Sequence, residues 1–572
     1  MQSILSFIRN VIKKSIPYVP YTAVVLVITG PFFLKSGYLF FSDFVIGPNI
    51  VPDISNYYYF RDVIFWLLSF VFPVAILEKC FISAVIIVVL LGGKKLASIF
   101  VQSPLYQFPI ALFALFNPFV YDRLMYGQVG VVCAYACLLF FTAYLFEFKN
   151  VLKNKTVYLA GLSAGLMVLS SPHFIFIITG ISLPFIITHI HDAFSCVNRA
   201  DGRMKMRRLL LSIGACAGII IIINGQWLLG EAVLGSKAGR QLKQINFDNF
   251  YTFRTVGSGS TEVASNVLLM FGFWGEAQNR YVGLKSSSGV GGRSMIIFTP
   301  IILFGLYFFI KDRKKKGEVL ADIPLYLPVL FIISVILAMG VGSSITAIFT
   351  QWLFDTVPFY ESMRDTTKWI SLISVLYVVW LSYGLSKIER YEYFSKKRLV
   401  VVILLSAAAI LQAHFLLFGY FGQVRPTSYP REWFALDSYM QKIEHDNCKQ
   451  TTLFLPWHMY MSFSFTGAIV GNPAQKFFTC PVLSGTNMEM GGLYDTSGSR
   501  DGQIISDWIK VKGDMKQSAT GAFISLPISY IILTKDVDWD KYRWLDLLPY
   551  IQLEKDFGSI VLFKVNKSAI EF

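Results

Sequence analysis

A chain of 572 residues that is 54% hydrophobic and only 15% charged, with a mean hydropathy of +0.54, reads as a membrane protein rather than a soluble one. Its net charge of +15 would suit nucleic acid on a soluble domain. Here the bases are sorted into short segments between apolar stretches, which excludes that role in favour of membrane topology.

About eleven apolar stretches thread the first 420 residues, many near the roughly 18 to 20 residues that cross a bilayer. Tyr21–Leu34 follows Arg9, Lys13 and Lys14, and the bulky Pro31-Phe32-Phe33 offers no small-residue cleavage site, so it reads as a retained first helix. An outer loop, Lys35–Asp62, carries Gly37, Gly47, Pro48, Asn49, Pro52 and the aromatic run Tyr57-Tyr58-Tyr59-Phe60, which suits the headgroup level. Val63–Phe72 then reads as a helix at the outer interface and Pro73–Gly93 as span two. Span three, about Tyr106–Phe116, stops at Asn117-Pro118; span five, about Val157–Ser170, stops at Ser171-Pro172-His173. Both are short, and shortened helices abut a polar cavity, which places a hollow in the outer half of the membrane core. Val129–Phe146, Arg208–Leu229, Ser294–Ile310, Leu325–Gly340, Lys368–Leu385 and Leu399–Phe421 are further clear spans. The long outer loop Gly230–Arg293 contains the flexible runs Gly257–Ser260 and Ser286–Gly292, with Leu268–Trp274 between them as a short dipping helix and Ser343–Phe354 as a second such element.

With the N-terminus inside, six segments face the cytoplasm: Met1–Pro20, Lys94–Leu105, Glu147–Thr156, His191–Arg208, Lys311–Asp322 and Lys387–Arg398. Together they hold 23 Lys/Arg against 8 Asp/Glu, which accounts for the whole excess of +15. This bias fixes the orientation, N-terminus in and C-terminus out. The chain therefore divides into a transmembrane part, 1–422, and a more polar extracytoplasmic part, 423–572. The second part reads as α/β: strands over Thr452–Leu455 and Tyr530–Thr534, a hairpin over Ile551–Val565 turning at Asp556-Phe557-Gly558, and helices over Glu432–Glu444 and Asp501–Val511. The fold class is thus a polytopic α-helical membrane protein with a C-terminal α/β domain. Cys448 and Cys480 fall in that domain, as a disulfide or as two thiols. No CxxC or His/Cys cluster has zinc-ligand spacing.

Ionisable residues near short or broken helices carry the chemistry, because a charge in the bilayer costs on the order of 3 kcal/mol and needs a task or a partner. Asp43, flanked by Phe41 and Phe44, does not read as a solvated surface acid, and its carboxylate suits a general base; a capping or ion-paired loop acid is the plainer alternative. Arg123, Arg364 and Lys368 are cations suited to a phosphate. Arg364 and Lys368, four apart, would share one helix face; Arg123 could instead pair with Asp122 or Glu361. Asp122, Gln128 and His173 line the expected cavity. Glu78 and Lys79, about 100° apart on span two, each need a partner of their own, as further residues of that cavity or in a structural role. Trp457 and His458, in an aromatic stretch of the C-terminal domain, could stack on sugar faces or belong to the core.

Four stretches resemble the GT-C superfamily of integral membrane glycosyltransferases, in particular its prokaryotic branch related to arabinofuranosyl- and mannosyltransferases. They are Gly37–Asn49 with Asp43; Asn117-Pro118-Phe119-Val120-Tyr121-Asp122-Arg123-Leu124-Met125-Tyr126-Gly127-Gln128; Met363-Arg364-Asp365-Thr366-Thr367-Lys368-Trp369; and Leu455–Tyr460 followed by Asn472-Pro473-Ala474. The resemblance implies a polyprenyl-phosphate-linked sugar donor, an acceptor glycan, glycolipid or glycoprotein at the outer face of the cell membrane, bound by the C-terminal domain with Trp457 and His458 as candidates, and an acid of the first outer loop as base. The loop lacks the compact acidic motif of metal-dependent relatives, since Asp43 and Asp53 are ten apart, so no cofactor or obligatory metal is expected. A transporter or flippase of lipid-linked sugars and a non-catalytic envelope assembly factor are the rival readings. A transporter would often show internal symmetry, and the sequence has none.

Overall fold

The computed structural model describes residues 16–54, 58–150, 154–196, 198–234, 245–287, 290–312, 326–392, 396–443, 448, 450–490, 493–495, 500–512, 519–526 and 528–571. Arg9, Lys13, Lys14, Tyr57 and the basic run Arg313–Lys316 lie outside these residues. The helices, in chain order, begin with α1 (Val19–Phe33), α2 (Tyr59–Ser69), α3 (Val74–Ala97), α4 (Pro104–Leu115), α5 (Pro118–Tyr126), α6 (Val129–Asn150), α7 (Asn154–Ser170), α8 (Phe174–Phe194) and α9 (Arg199–Leu234). There follow α10 (Ser260–Leu268), α11 (Val290–Asp312), α12 (Tyr326–Met339), α13 (Ser344–Thr356), α14 (Ile370–Ile388), α15 (Arg398–Gln412), α16 (Arg431–Ile443) and α17 (Arg500–Lys510).

The chain is a multi-pass membrane protein. Among the described residues six helices are long and apolar enough to cross a membrane, and eight spans result if each of two bent pairs counts as one. The expectation of about eleven depends on the shorter apolar helices α1, α4 and α7, of 10–17 residues. The bent pairs mark where a run of apolar sequence is not one helix. The axis turns by 95° between Tyr326–Gly342 and α13, where the Ser343 side chain caps the new helix by accepting from Ile345 N at 3.3 Å. It turns by 77° after α15, at Ala413.

Two compact units result. One comprises 1–31, 81–229 and 247–423; the other joins Phe32–Cys80 and Gly230–Asn246 to Val424–Phe572. The loop after α1 and the start of α3 thus fold with the C-terminal residues.

In the first unit α14 is buried on every face from Ile370 to Ser386. A helix that is apolar all round is enclosed by others, and α4, α6, α11 and α12 pack against it. By contrast, the apolar stretch of α9 is almost wholly unburied, which assigns it to the lipid-facing periphery. The expected dipping helix at Leu268–Trp274 is displaced: α10 ends at Leu268, and Met270 (φ 64°) and Gly272 (φ 98°) break the helix that the apolar composition suggested. The glycine run expected to be flexible also differs. Gly291 and Gly292 belong to α11, while Ser288 and Gly289 lie outside the described residues.

The second unit holds strands β1 (Thr451–Leu455), β2 (Tyr460–Phe463), β3 (Ala468–Gly471), β4 (Val482–Leu483), β5 (Met488–Met490), β6 (Leu493–Asp495), β7 (Ile528–Thr534), β8 (Ile551–Asp556) and β9 (Ile560–Val565). The main sheet runs β4-β1-β7-β9-β8, parallel across β4, β1 and β7 and antiparallel to β9 and β8. Alternate residues point to opposite faces. Leu453, Leu455, Ile531, Leu533 and Phe563 meet Ile505 and Trp508 of α17 on one face. Phe454, Ile532 and Leu562 meet Trp433, Leu436 and Met440 of α16 on the other. The β8–β9 turn falls at Gly558 as expected, and β2–β3 is a separate hairpin with Tyr460 opposite Gly471.

Cys448 and Cys480 form a disulfide across 32 residues. Replacing both with serine is expected to lower the stability of this unit by about 2–4 kcal/mol, read as a shifted denaturation midpoint under non-reducing conditions.

Candidate active site

The most distinctive sequence stretch, Asn117–Gln128, is the capped helix α5. Asn117 accepts from Val120 N at 3.0 Å and donates to Ala114 O at 2.8 Å, tying α5 to α4. Pro118 occupies the first helical position, where no N–H is needed. Gly127, at φ 89°, ends the helix in the left-handed region. The whole helix is buried, and Arg123 sits in its last turn.

Arg123 pairs with Asp365, not with Asp122 or Glu361. Its Nη1 donates to Asp365 Oδ2 at 2.6 Å and to Gln128 Oε1, and its Nη2 to Thr367 Oγ1 at 2.6 Å and Asp365 Oδ1 at 3.3 Å. The Phe273 ring lies 4.2 Å from the guanidinium carbon and the Phe119 ring 5.4 Å. The side chains of Arg123 and Asp365 are only 1% and 6% exposed. Removing one partner of a buried pair strands the other charge. Asp365→Ala is therefore expected to destabilise the protein by about 3–5 kcal/mol, seen as a lower thermal midpoint in detergent. Burial alone would raise the Asp365 carboxyl. The charges of Arg123 and Lys368 and the hydrogen bonds from Arg123 and Thr367 outweigh it and hold the group below the usual carboxylate range. The folded value is depressed, so the pair stabilises fully above about pH 4 and fails only as pH falls through that folded value.

Arg364 and Lys368 do not share a helix face. Arg364 closes one 3-10 turn, Tyr360–Arg364. Asp365 is non-helical (φ −88°, ψ 86°), and Lys368 belongs to the next turn, Thr366–Trp369. The i,i+4 rule fails because the acid between them leaves helical geometry to meet Arg123. Arg364 is half-buried, its guanidinium 4.5 Å from the centre of the Phe253 ring. Lys368 is 7% exposed, and its ammonium makes no hydrogen bond or ion pair among the described residues. His173, between α7 and α8, makes no capping bond, and its Nδ1 is buried without a hydrogen-bond partner among the described residues. Burial and then Lys368, opposed by Asp365 and reinforced by Arg364 and Arg123, push its pKa well below the ordinary histidine value. Those same interactions bring His173, Lys368, Arg364, Arg123 and Asp365 into one electrostatic cluster. With Arg123 balanced by Asp365 and His173 neutral, Lys368 is left as a buried cation without a hydrogen bond or ion pair among the described residues, and Arg364 adds its charge beside it.

Gln128 is absorbed by Arg123. Asp122 looks elsewhere: its Oδ1 accepts from Tyr281 Oη at 3.0 Å, and burial and then the charge of Glu276 raise its pKa. Among the described residues no three His, Cys, Asp or Glu side chains gather as metal ligands would.

In the second unit, Asp43 is exposed while Phe41, Ser42 and Phe44 on either side are buried. The flanking phenylalanines are anchors and do not enclose the acid, which corrects the expectation of a shielded carboxylate. Asp43 Oδ1 accepts from Tyr460 Oη at 2.6 Å. Glu78 and Lys79 are both wholly buried and each has its own partner. Glu78 Oε2 accepts from Leu39 N at 2.7 Å, and Lys79 Nζ donates to Lys35 O at 2.7 Å. They hold the backbone of the loop that carries Asp43. Glu78→Ala, which leaves a buried N–H without its acceptor, is expected to cost about 1–3 kcal/mol, measurable by denaturation. Trp457 is a core residue, 3% exposed, with its Nε1 donating to Ser506 Oγ at 3.2 Å, so its ring is not available for stacking on a sugar. His458 is partly buried, with Nε2 3.1 Å from Asp538 Oδ1. Sequence reasoning missed Asp365, although an acid among Arg364 and Lys368 was the available signal. It also missed Tyr460, whose link to Asp43 spans 417 residues and leaves no sequence trace.

The chain, a helical membrane unit with a buried cation cluster joined in sequence to a C-terminal α/β unit, is similar in fold to solved structures of other proteins. Arabinofuranosyltransferase AftD from Mycobacteria superposes with a TM-score of 0.59 at 13% identity, over 96% of this chain and 39% of that one. A mutant of the same mycobacterial enzyme gives 0.58 at 12% identity, over 96% and 41%. The oligosaccharyltransferase AglB from Archaeoglobus fulgidus, in complex with an inhibitory peptide and a dolichol-phosphate, gives 0.41 at 11% identity, over 95% and 69%. This chain thus spans about two fifths of the length of AftD, and at 13% identity the likeness to AftD is one of fold. No family model matches the chain, and no curated protein matches it in sequence.

Proposed function

We propose that this protein is a GT-C type glycosyltransferase of the cell membrane. It moves a sugar from a polyprenyl-phosphate donor to an acceptor glycan, glycolipid or glycoprotein at the outer face, where the C-terminal unit also lies. The observation that carries the reading is the Lys368 ammonium, buried beside Asp365 and His173 without a hydrogen bond or ion pair among the described residues. A buried charge in that state needs a counter-charge, and a lipid phosphate supplies one.

Lys368 and Arg364 hold the phosphate, and neutral His173 adds a polar contact. Arg123, its fork already engaged, fixes Asp365 and Thr367 and contributes through its field. Asp43 takes the proton of the acceptor hydroxyl. That oxygen attacks the anomeric carbon opposite the phosphate, the carbon–oxygen bond to the phosphate breaks, and the sugar is delivered with inversion. The bonding electrons leave on the lipid phosphate, where the cations stabilise the growing charge.

The test is to incubate purified protein with a panel of polyprenyl-phosphate sugars and candidate acceptors. Transfer of label to an acceptor supports the reading. Movement of the lipid between leaflets without transfer supports a flippase, and neither result leaves an assembly role.

A further inference from the structure

We propose that Tyr460 is the positioning residue for the Asp43 carboxylate, and that the β2–β3 hairpin is therefore part of the catalytic machinery. This rests on the reading of Asp43 as the base.

An exposed aspartate on a loop is a poor base unless something fixes it, since rates fall steeply when a reacting group is misplaced by about 1 Å. The backbone on both sides of Asp43 is fixed. Tyr38 and Thr427 exchange hydrogen bonds at 2.8 and 2.9 Å. Gly471 N donates to Ser42 O at 2.9 Å, and Ser42 Oγ donates to Ile469 O at 3.1 Å. Tyr429 Oη donates to Ile46 O at 3.0 Å, and Asn49 N to Lys476 O at 3.1 Å. Phe40, Phe41 and Phe44 are buried. The loop is laid along β3, and Gly471 permits this: a Cβ there would stand 3.0 Å from Ser42 O.

Those contacts fix where the Asp43 backbone lies but leave its side chain exposed. Tyr460 places a constraint on the side chain itself. It is the cross-strand partner of Gly471, so the contact that docks Ser42 also brings the phenol beside residue 43. Its hydroxyl donates to Asp43 Oδ1 at 2.6 Å. A phenol has one proton to give, and a hydrogen bond to an ionised carboxylate is among the strong ones, so it sets the carboxylate's direction. Arg61, 5.8 Å from the centre of the Phe44 ring, is committed to Asp62 at 2.8 Å.

Tyr460→Phe removes the donor and keeps the ring. Loss of one hydrogen bond to a charged group is expected to lower kcat about tenfold, with KM for a polyprenyl-phosphate sugar and the melting temperature unchanged. In an Asp43→Glu background, whose longer side chain gives up the bond, the same change has no further effect. Full kcat in Tyr460→Phe overturns the proposal, as does a loss that appears in KM or melting temperature, or one that multiplies fully with Asp43→Glu. In those cases an inactive Asp43→Asn enzyme still leaves Asp43 as the base. An active Asp43→Asn enzyme instead removes the base, and with it the reading on which this inference rests.

Discussion

Asp43→Asn is expected to lower kcat for sugar transfer by about 10²–10⁴-fold, the usual contribution of a positioned general base. The amide is nearly the same size and can still accept from Tyr460, so the loop should stay docked through Ser42, Tyr38 and Asn49. Expression, melting temperature and retention of the lipid donor are expected to be unchanged. Asn cannot take a proton from an acceptor hydroxyl, and only that step is removed. Because the wild-type acid is exposed, no burial penalty has to be relieved when it is neutralised, so a stability change would point to a structural role instead. The measurement is single-turnover transfer with saturating donor. Turnover within a fewfold of wild type would eliminate Asp43 from the mechanism.

Lys368→Met is the second substitution with a large expected effect, and its sign on stability differs from its sign on activity. The ammonium is buried and lacks a hydrogen bond or ion pair among the described residues. Replacing it with an apolar chain of similar length removes a desolvation cost, so the variant is expected to melt at the same temperature as wild type or higher. Transfer is expected to fall by about 10²–10³-fold, the typical loss when a preorganised charge at a developing anion is removed. Donor-lipid retention should fall with it. Asp365→Ala should behave in the opposite way, lowering stability because it abandons Arg123. A cation kept only for folding would make Lys368→Met destabilising. That outcome, seen in a thermal melt with transfer preserved, would remove the phosphate role.

What could be read from sequence follows from locality. β7 and β9 were visible as short runs of β-branched and large apolar residues, and the Asp556-Phe557-Gly558 turn between β8 and β9 announces itself through its glycine. Asn117-Pro118 marks the stop of span three, and the structure adds that the same pair starts α5, with the amide as cap and the proline at the first position. The break at Ser343 is legible because a cap is local chemistry. Interactions set by tertiary contact were not legible. Asp365 is drawn out of helical geometry by Arg123, 242 residues away, so spacing alone placed Arg364 and Lys368 on one face. For Trp457 the sequence leaves a sugar-stacking surface and the core both open, and the sheet folds it into the core. The loop carrying Asp43 reads as part of the membrane half, but its contacts with Gly471, Tyr429 and Lys476 tie it to the C-terminal residues. Apolar composition also overstates helix: Leu268–Trp274 is apolar enough, but Met270 and Gly272 take positive φ.

The central claim is that the buried cluster around Lys368 is a seat for a lipid-linked phosphate. A density map of the purified protein in nanodiscs with a polyprenyl monophosphate tests it most directly. The account expects phosphate density within hydrogen-bonding distance of Lys368 Nζ, with Arg364 and His173 beside it. A map in which the lipid phosphate sits away from Lys368, with that ammonium meeting only protein, would contradict it.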